Sequence, residues 1–124
     1  MLTDRGLDAA VSGLAALSPI PVAVNVEIPQ RPSLTIESIA YFVVAESLAN
    51  VAKHAGARHA AVDIRAAAGV LSISVRDDGV GGADPAGGGL TGLANRVAGV
   101  DGRLSIDSPP GGPTVIQVEL PCAS

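Results

Sequence analysis

A chain of 124 residues is long enough for one domain with a single packed core, and its 48% apolar and 16% charged residues are typical of a globular protein. A net charge of −4 argues against a nucleic-acid-binding role, and the absence of a run of about 18 apolar residues predicts that no segment spans a membrane. The single cysteine, Cys122, rules out an intrachain disulfide and a cysteine-based metal site, which fits a reducing compartment.

The first predicted elements are a helix and a strand. Residues 6–17 carry apolar side chains at helical spacing, and prolines close the segment. The apolar positions of this helix are Leu7, Val11, Leu14 and Leu17. Residues 22–28, VAVNVEI, alternate apolar and polar side chains, which predicts a half-buried strand.

A long helix and two strands come next. The helix is predicted from Ile36 to Ala55, with Ser33 or Thr35 as its N-cap and a glycine directly after it. Residues 59–66 and 69–77 are predicted to form two strands joined by a tight turn, because both runs alternate and an Ala-Gly pair separates them.

The second half of the chain starts with a glycine-rich stretch and continues with a helix over residues 90–100. Residues 102–108 and 114–120 then form a last pair of strands around a Pro- and Gly-rich turn. This order predicts an α/β (α+β) two-layer sandwich, in which a mixed, mostly antiparallel sheet is covered on one face by about three helices.

Asp77 is the first candidate functional residue, because strand alternation places it on the apolar face of residues 71–75 and places Asp78 on the other face. A carboxylate that faces a core is costly unless it has a dedicated donor. The alternative is that the strand frays before Asp77 and leaves an ordinary Asp-Gly turn. Thr114 likewise shares a face with apolar residues of the last strand, which taken alone is common for threonine.

The long helix carries a polar group of residues opposite its apolar stripe. The polar residues are Glu46, Asn50, Lys53 and His54. Such a face is usually solvated, but the same face continues into apolar residues nearer the start of the helix, which favours a helix buried on both sides with its lower half lining a polar cavity.

Taken together, these motifs strongly resemble the nucleotide-binding domain shared by gyrase-type topoisomerases, heat-shock chaperones, histidine kinases and MutL-type repair ATPases. The resemblance covers about Pro21 to Pro121 and implies a Bergerat-type fold that binds ATP. The motifs are Glu46-x-x-x-Asn50-x-x-Lys53-His54, Asp77-x-Gly79-x-Gly81, Gly87-x-Gly89-Leu90-x-Gly92-Leu93, and Thr114 on a strand.

The resemblance implies that Asp77 holds adenine and that Thr114 supports the same contact. A carboxylate only accepts hydrogen bonds, so Asp77 suits the amino group of adenine and rejects the carbonyl of guanine. Gly79 and Gly81 would let the backbone pass close to the base and sugar.

Phosphate binding is assigned to the start of the helix that follows the glycines, where free N–H groups and the helix dipole favour anions. The residues concerned are Gly89, Leu90, Thr91, Gly92 and Leu93. Asn50 offers an amide oxygen to Mg²⁺, and Lys53, with His54 as a possible assistant, would meet phosphate oxygens. Glu46 is expected to position a water or the magnesium shell, with a general-base role as a further possibility.

Two other glycine motifs are excluded. GGGLTG, residues 87–92, satisfies the dinucleotide pattern G-x-G-x-x-G but does not directly follow a strand, as that fingerprint requires. No G-K-S/T follows a glycine cluster, so the chain is not a P-loop NTPase.

Within this superfamily, ESLANVAKHAGA and GLANRVAGVDGRLSI look most like the nitrate-sensor and desaturase-regulator histidine kinases, which partner LuxR-type response regulators. Residues 83–88 would be their short ATP lid. Residues 1–20 resemble the end of the connection from a dimerisation hairpin together with a first helix, and residues 21–124 resemble the catalytic domain. His54 and His59 are the only histidines, and neither looks like a phosphoacceptor, so the acceptor is expected on a separate dimerisation domain.

The resemblance thus implies a histidine kinase catalytic domain with ATP and Mg²⁺ that cannot autophosphorylate alone. It implies a cytoplasmic, monomeric domain of a protein anchored in the bacterial inner membrane, with no nucleic-acid partner. Two alternatives stay open: an anti-sigma-factor serine kinase, and a nucleotide-sensing module without phosphotransfer.

Overall fold

The computed structural model describes residues 2–29, 31–54, 57–79, 88–109 and 111–122. They form the predicted α+β sandwich of three helices and a five-stranded sheet. The elements in chain order are α1 (Leu2–Ala16), β1 (Val22–Glu27), α2 (Leu34–His54), β2 (Ala60–Ala67), β3 (Val70–Asp77), α3 (Gly88–Ala98), β4 (Arg103–Asp107) and β5 (Thr114–Pro121).

The sheet is mixed and mostly antiparallel, as predicted. Its strand order is β1-β2-β3-β5-β4, with β1 and β2 parallel and the other three pairs antiparallel. The parallel pair requires a long crossover, which α2 supplies. The β2–β3 hairpin turns through two residues, Ala68 and Gly69, both at positive φ, which matches the right-handed twist of the strands it joins.

The hydrophobic core lies between one face of the sheet and the helices. The middle helix, α2, packs against α1, α3, β3 and β5, while α1 also covers β1 and α3 covers β4. The stretch Leu34–Ala52 of α2 is long enough and has a high enough mean hydropathy to cross a membrane, although polar residues such as Glu37, Glu46 and Asn50 interrupt it. Here it is the central helix of the sandwich, and most of its apolar side chains, among them Val43, Val44 and Leu48, belong to the core.

Several element boundaries differ from those predicted. α1 begins at Leu2 and is broken at Gly6, whose φ of 77° is not helical, and Leu17 lies beyond the helix end with 83% of its surface exposed. Ser33 is the N-cap of α2, since its hydroxyl accepts the Ile36 N–H at 3.2 Å. The predicted end of α2 at Ala55 lies outside the described residues. α3 starts and ends two residues before the predicted bounds.

Gly102 is a position where a side chain should destabilise the fold. A Cβ there would lie 2.8 Å from the Glu119 carbonyl oxygen and equally close to the side chains of Val97 and Leu120. Gly102→Ala should therefore lower the free energy of unfolding by about 1–3 kcal/mol in urea titrations. The control is Gly13→Ala in α1, where a Cβ meets nothing within 4 Å. This second change should raise stability by roughly 0.5–1 kcal/mol, so equal effects of the two substitutions would contradict the packing argument.

Candidate functional site

Asp77 ends β3 and is only 3% exposed, which places its carboxylate on the apolar side of the sheet. It is paired with Ala60 of β2 on one side and Thr114 of β5 on the other. Its Oδ1 accepts the Gly79 N–H at 2.8 Å. The strand thus continues through Asp77, and the alternative of early fraying does not hold.

Burial raises the pKa of Asp77, because the protein removes water from the ionised carboxylate. The Gly79 hydrogen bond opposes this by lowering the pKa, and the nearby charge of Asp78 adds a smaller increase. Keeping the Asp77 carboxylate ionised therefore costs free energy in the ligand-free protein, and a hydrogen bond from an N–H donor on a ligand would reduce that free-energy cost.

Thr114 lies directly across from Asp77 and is 5% exposed. Its Oγ1 is 2.6 Å from the Ser108 hydroxyl, so a second polar group supports the threonine. Ser108 was not predicted as part of the site. Its position follows from the β4–β5 pairing of the structure, because extending the Asp107–Val115 pair by one residue places position 108 opposite position 114.

α2 brings the third group of predicted residues to the same half of the fold, since it packs against the two strands that carry Asp77 and Thr114. Glu46 and Asn50 are half-buried, whereas Val44, Leu48 and Val51 are buried in the core. At Glu46 and Asn50 the polar face of α2 is therefore not fully solvated. For Lys53 and His54 only the helical backbone is described, in the last turn of α2.

The predicted phosphate-binding residues occupy the start of α3. Gly89 and Leu90 are in its first turn, Thr91 is exposed and Gly92 is half-buried. Leu93 is completely buried in the hydrophobic core, so any contribution to ligand binding must come from its backbone. Gly81 and residues 83–87 of the predicted lid lie outside the described residues.

A wide groove in the described structure lies elsewhere. It measures about 680 Å³ on the outer face of the sheet, away from the helices, and is lined mostly by polar and charged side chains of β2 to β5. Its walls carry neither Asp77 nor Thr114. Within the described ranges, no cluster of three or more His, Cys, Asp or Glu residues could hold a metal ion by itself.

Solved histidine kinases share this fold. The histidine kinase domain of the blue-light activated kinase from Erythrobacter litoralis matches with a TM-score of 0.71 and 21% identity, over 94% of this chain and 59% of that chain. Full-length ShkA in complex with AMPPNP matches with a TM-score of 0.68 and 22% identity, over 93% of this chain and 28% of that chain. The mycobacterial sensor histidine kinase MprB matches with a TM-score of 0.62 and 19% identity, over 93% of this chain and 92% of that chain.

At these identities the structural likeness establishes the fold, and the chain spans 59% of the blue-light kinase domain. No match to the chain was found among curated proteins. Residues 35–124 match the family described as histidine kinase-, DNA gyrase B- and HSP90-like ATPases. This range includes every predicted site residue, from Glu46 on α2 to Thr114 on β5. The chain belongs to this ATPase family.

Proposed function

We propose that the chain is the ATP-binding catalytic domain of a sensor histidine kinase, which binds Mg-ATP and donates the γ-phosphoryl group to a histidine on a separate dimerisation domain. The observation that carries the proposal is Asp77, a buried carboxylate at a strand end with Thr114 beside it. Membership of the ATPase family and the shared fold of kinases, one of them bound to AMPPNP, support it.

Asp77 and Thr114 form the base-binding end of the proposed site. The Gly79 N–H occupies Oδ1 of Asp77, and a carboxylate has further acceptor capacity for the amino group of adenine. Guanine would place a carbonyl oxygen against the same buried carboxylate, so the site should prefer adenine nucleotides. Gly79 and Gly81 would leave room for the base and sugar.

The phosphate end is assigned to α2 and α3. Asn50 is the proposed magnesium ligand, and its half-buried position on α2 fits an ion that takes few protein ligands and several oxygens from water and phosphate. The bound ion would neutralise phosphate charge. Lys53 and His54 would contact phosphate oxygens, and the backbone from Gly89 to Leu93 would bind them at the start of α3.

Phosphoryl transfer then depends on how the reacting groups are positioned and on how the phosphate charge is neutralised. A ring nitrogen of the acceptor imidazole attacks the γ-phosphorus in line with the bond to ADP, that bond breaks, and the imidazole releases one proton. Glu46 is proposed to orient a water or the magnesium shell at this end. The chain's own histidines lie within the α2 motif and next to β2, so the protein alone should not become phosphorylated.

Calorimetry with Mg-ATP, Mg-ADP and Mg-GTP tests the binding step. Both adenine nucleotides should bind and GTP should bind at least tenfold more weakly, because its base lacks the donor that Asp77 accepts. No adenine-nucleotide binding at millimolar concentration would contradict the proposal.

Purified dimerisation domains from candidate kinases, added with labelled ATP, test the transfer step. Phosphohistidine on the added domain supports the histidine kinase. Phosphoserine on an anti-sigma-factor antagonist supports the serine kinase instead, and binding without any transfer supports a nucleotide-sensing module.

The proposal also covers the longer protein to which this domain would belong. Residues 1–20 would join the domain to its dimerisation hairpin, and α1 enters the sandwich through Leu7 and Val11, which lie in the core. The domain would be a cytoplasmic monomer of an inner-membrane kinase of the nitrate-sensor and desaturase-regulator subfamily. Its downstream partner would be a LuxR-type response regulator.

A further inference from the structure

Asp78 makes a compact set of contacts on the side of the sheet opposite Asp77. Its Oδ1 accepts the N–H of Arg58 at 2.7 Å and the N–H of His59 at 3.0 Å. Its own N–H donates to the His59 carbonyl at 3.2 Å, and its Oδ2 is 3.3 Å from Nδ1 of the His59 ring. One residue therefore connects by side chain and backbone to two consecutive residues of another segment.

That segment links two parts of the proposed site. Arg58 and His59 lie between α2 and β2, and the next residue, Ala60, is paired with Asp77. The connection therefore begins at the end of the helix that carries Asn50 and Lys53, and it ends beside the base-binding aspartate. The hydrogen bonds of Asp78 join this connection to the residues that follow Asp77.

The contacts are those of an ionised carboxylate. Hydrogen bonds from the backbone of His59 and Arg58 lower the pKa of Asp78, so it stays charged at neutral pH and accepts both N–H groups. The side chain is 48% exposed, so water competes for it and its effect on global stability is small. Its effect should be local, on the position of the connection.

We propose that Asp78 is a positioning residue for nucleotide binding: by holding Arg58 and His59 it fixes the end of α2 relative to the Asp77 turn, and so sets the spacing between the base-binding and phosphate-binding parts of the site. This inference rests on the proposed function. It gives a role to a residue whose side chain faces away from the site and which is not among the predicted site residues.

Electrostatics and positioning predict opposite effects for removing this side chain. Asp78 is a negative charge near a site for a polyanion, and it also repels Asp77. If charge alone mattered, Asp78→Ala would bind ATP more tightly than the parent. If positioning matters, the variant binds ATP more weakly, and the ligand that spans both parts of the site loses more than a ligand that fills only one.

The experiment compares the parent, Asp78→Ala, Asp78→Asn and the control Asp63→Ala, which removes an exposed acid from the outer face of β2. Calorimetry measures Mg-ATP, and chemical-shift titration measures adenosine. Asp78→Ala should weaken Mg-ATP about tenfold and adenosine less than twofold. Asp78→Asn should recover most of the affinity, because one amide oxygen can still accept both N–H groups. Asp63→Ala should leave binding unchanged.

Amide hydrogen exchange gives a second readout, in which Arg58 and His59 should exchange faster in Asp78→Ala than in Asp78→Asn while the core strands stay protected. Unchanged or tighter ATP binding by Asp78→Ala, or equal losses for ATP and adenosine, would overturn the positioning role while leaving the proposed function intact. A parent protein that binds no adenine nucleotide would overturn both.

Discussion

Replacing Asp77 by asparagine should weaken Mg-ATP binding by about 10- to 100-fold and, in the same variant, make the nucleotide-free protein more stable at neutral pH. The loss of binding follows from donor counting. Oδ1 of Asp77 accepts the Gly79 N–H at 2.8 Å, which leaves the second oxygen for the amino group of adenine. In asparagine that second atom is an NH₂ group, so either the Gly79 N–H or the adenine amino group faces a donor.

The gain in stability follows from the raised pKa of Asp77. An acid whose pKa is higher in the folded state than in the unfolded state is ionised first in the unfolded chain, so rising pH favours unfolding between the two pKa values. Asparagine does not titrate. The stability difference between Asp77→Asn and the parent should therefore be small near pH 3, should grow as the pH rises from about 4 through the raised pKa of Asp77, and should then stay constant.

Thermal unfolding across this pH range and calorimetry at pH 7 measure both effects. Asp63→Asn is the matched control, because it removes the same charge from an exposed position on β2. It should leave the ATP affinity unchanged, because Asp63 lies on the outer face of the sheet, away from Asp77. ATP binding by Asp77→Asn at the parent's affinity would show that Asp77 does not recognise the base.

The position of Asp77 could be predicted because it depends on local rules. Alternation along a strand assigns its face, and the two-residue turn at Ala68 and Gly69 sets the register of the β2–β3 hairpin. The same register, extended by one pair, places His59 opposite Asp78. The backbone contact of Asp78 with His59 therefore follows from the hairpin register, whereas strand alternation gives only the outward direction of its side chain and does not reveal the bonds to Arg58 and His59.

Other features depend on tertiary packing, which periodicity does not determine. Leu93 looks like part of the phosphate-binding motif, but its side chain fills the core, because α3 begins at Gly88 and turns that position inward. Leu17 has helical spacing, yet the helix ends before it and leaves it exposed. The pairing of Thr114 with Asp77 joins strands that are separated by α3 and β4, so no local pattern fixes its register.

The ion pair between Arg31 and Glu37 is such a tertiary feature, and breaking it should strongly destabilise the fold. Arg31 lies three residues before α2 and Glu37 is in the first turn of this helix, where an acid normally faces solvent. In the structure Glu37 is 1% exposed, and Nε of Arg31 is 3.0 Å from both of its carboxylate oxygens. Gly6, at the break in α1, lies beside the pair, since a Cβ there would be in van der Waals contact with both side chains at 3.8 Å.

Arg31→Met should lower the free energy of unfolding by about 3 kcal/mol, because it leaves a buried carboxylate without its cation. Glu37→Gln should cost less, about 1–2 kcal/mol, because the Arg31 side chain is 43% exposed and water can solvate it. The double variant should lose less free energy of unfolding than the sum of the losses in the two single variants. The difference is the coupling energy between Arg31 and Glu37, and it does not include the other interactions of Arg31. Arg65→Met, on the exposed face of β2, is the matched control and should have little effect on urea unfolding.

The ion pair and the proposed nucleotide site should respond independently. Glu37 precedes Glu46 by nine residues of α2, about 13 Å along the helix axis, so the folded fraction of Arg31→Met should bind Mg-ATP with the parent's affinity. Calorimetry at a temperature where the variant is fully folded tests this. Strictly additive losses in the double variant would show that Arg31 stabilises the fold through its other contacts. A drop in ATP affinity would instead show that the start of α2, where α1 joins the sandwich, is coupled to the site that the helix carries.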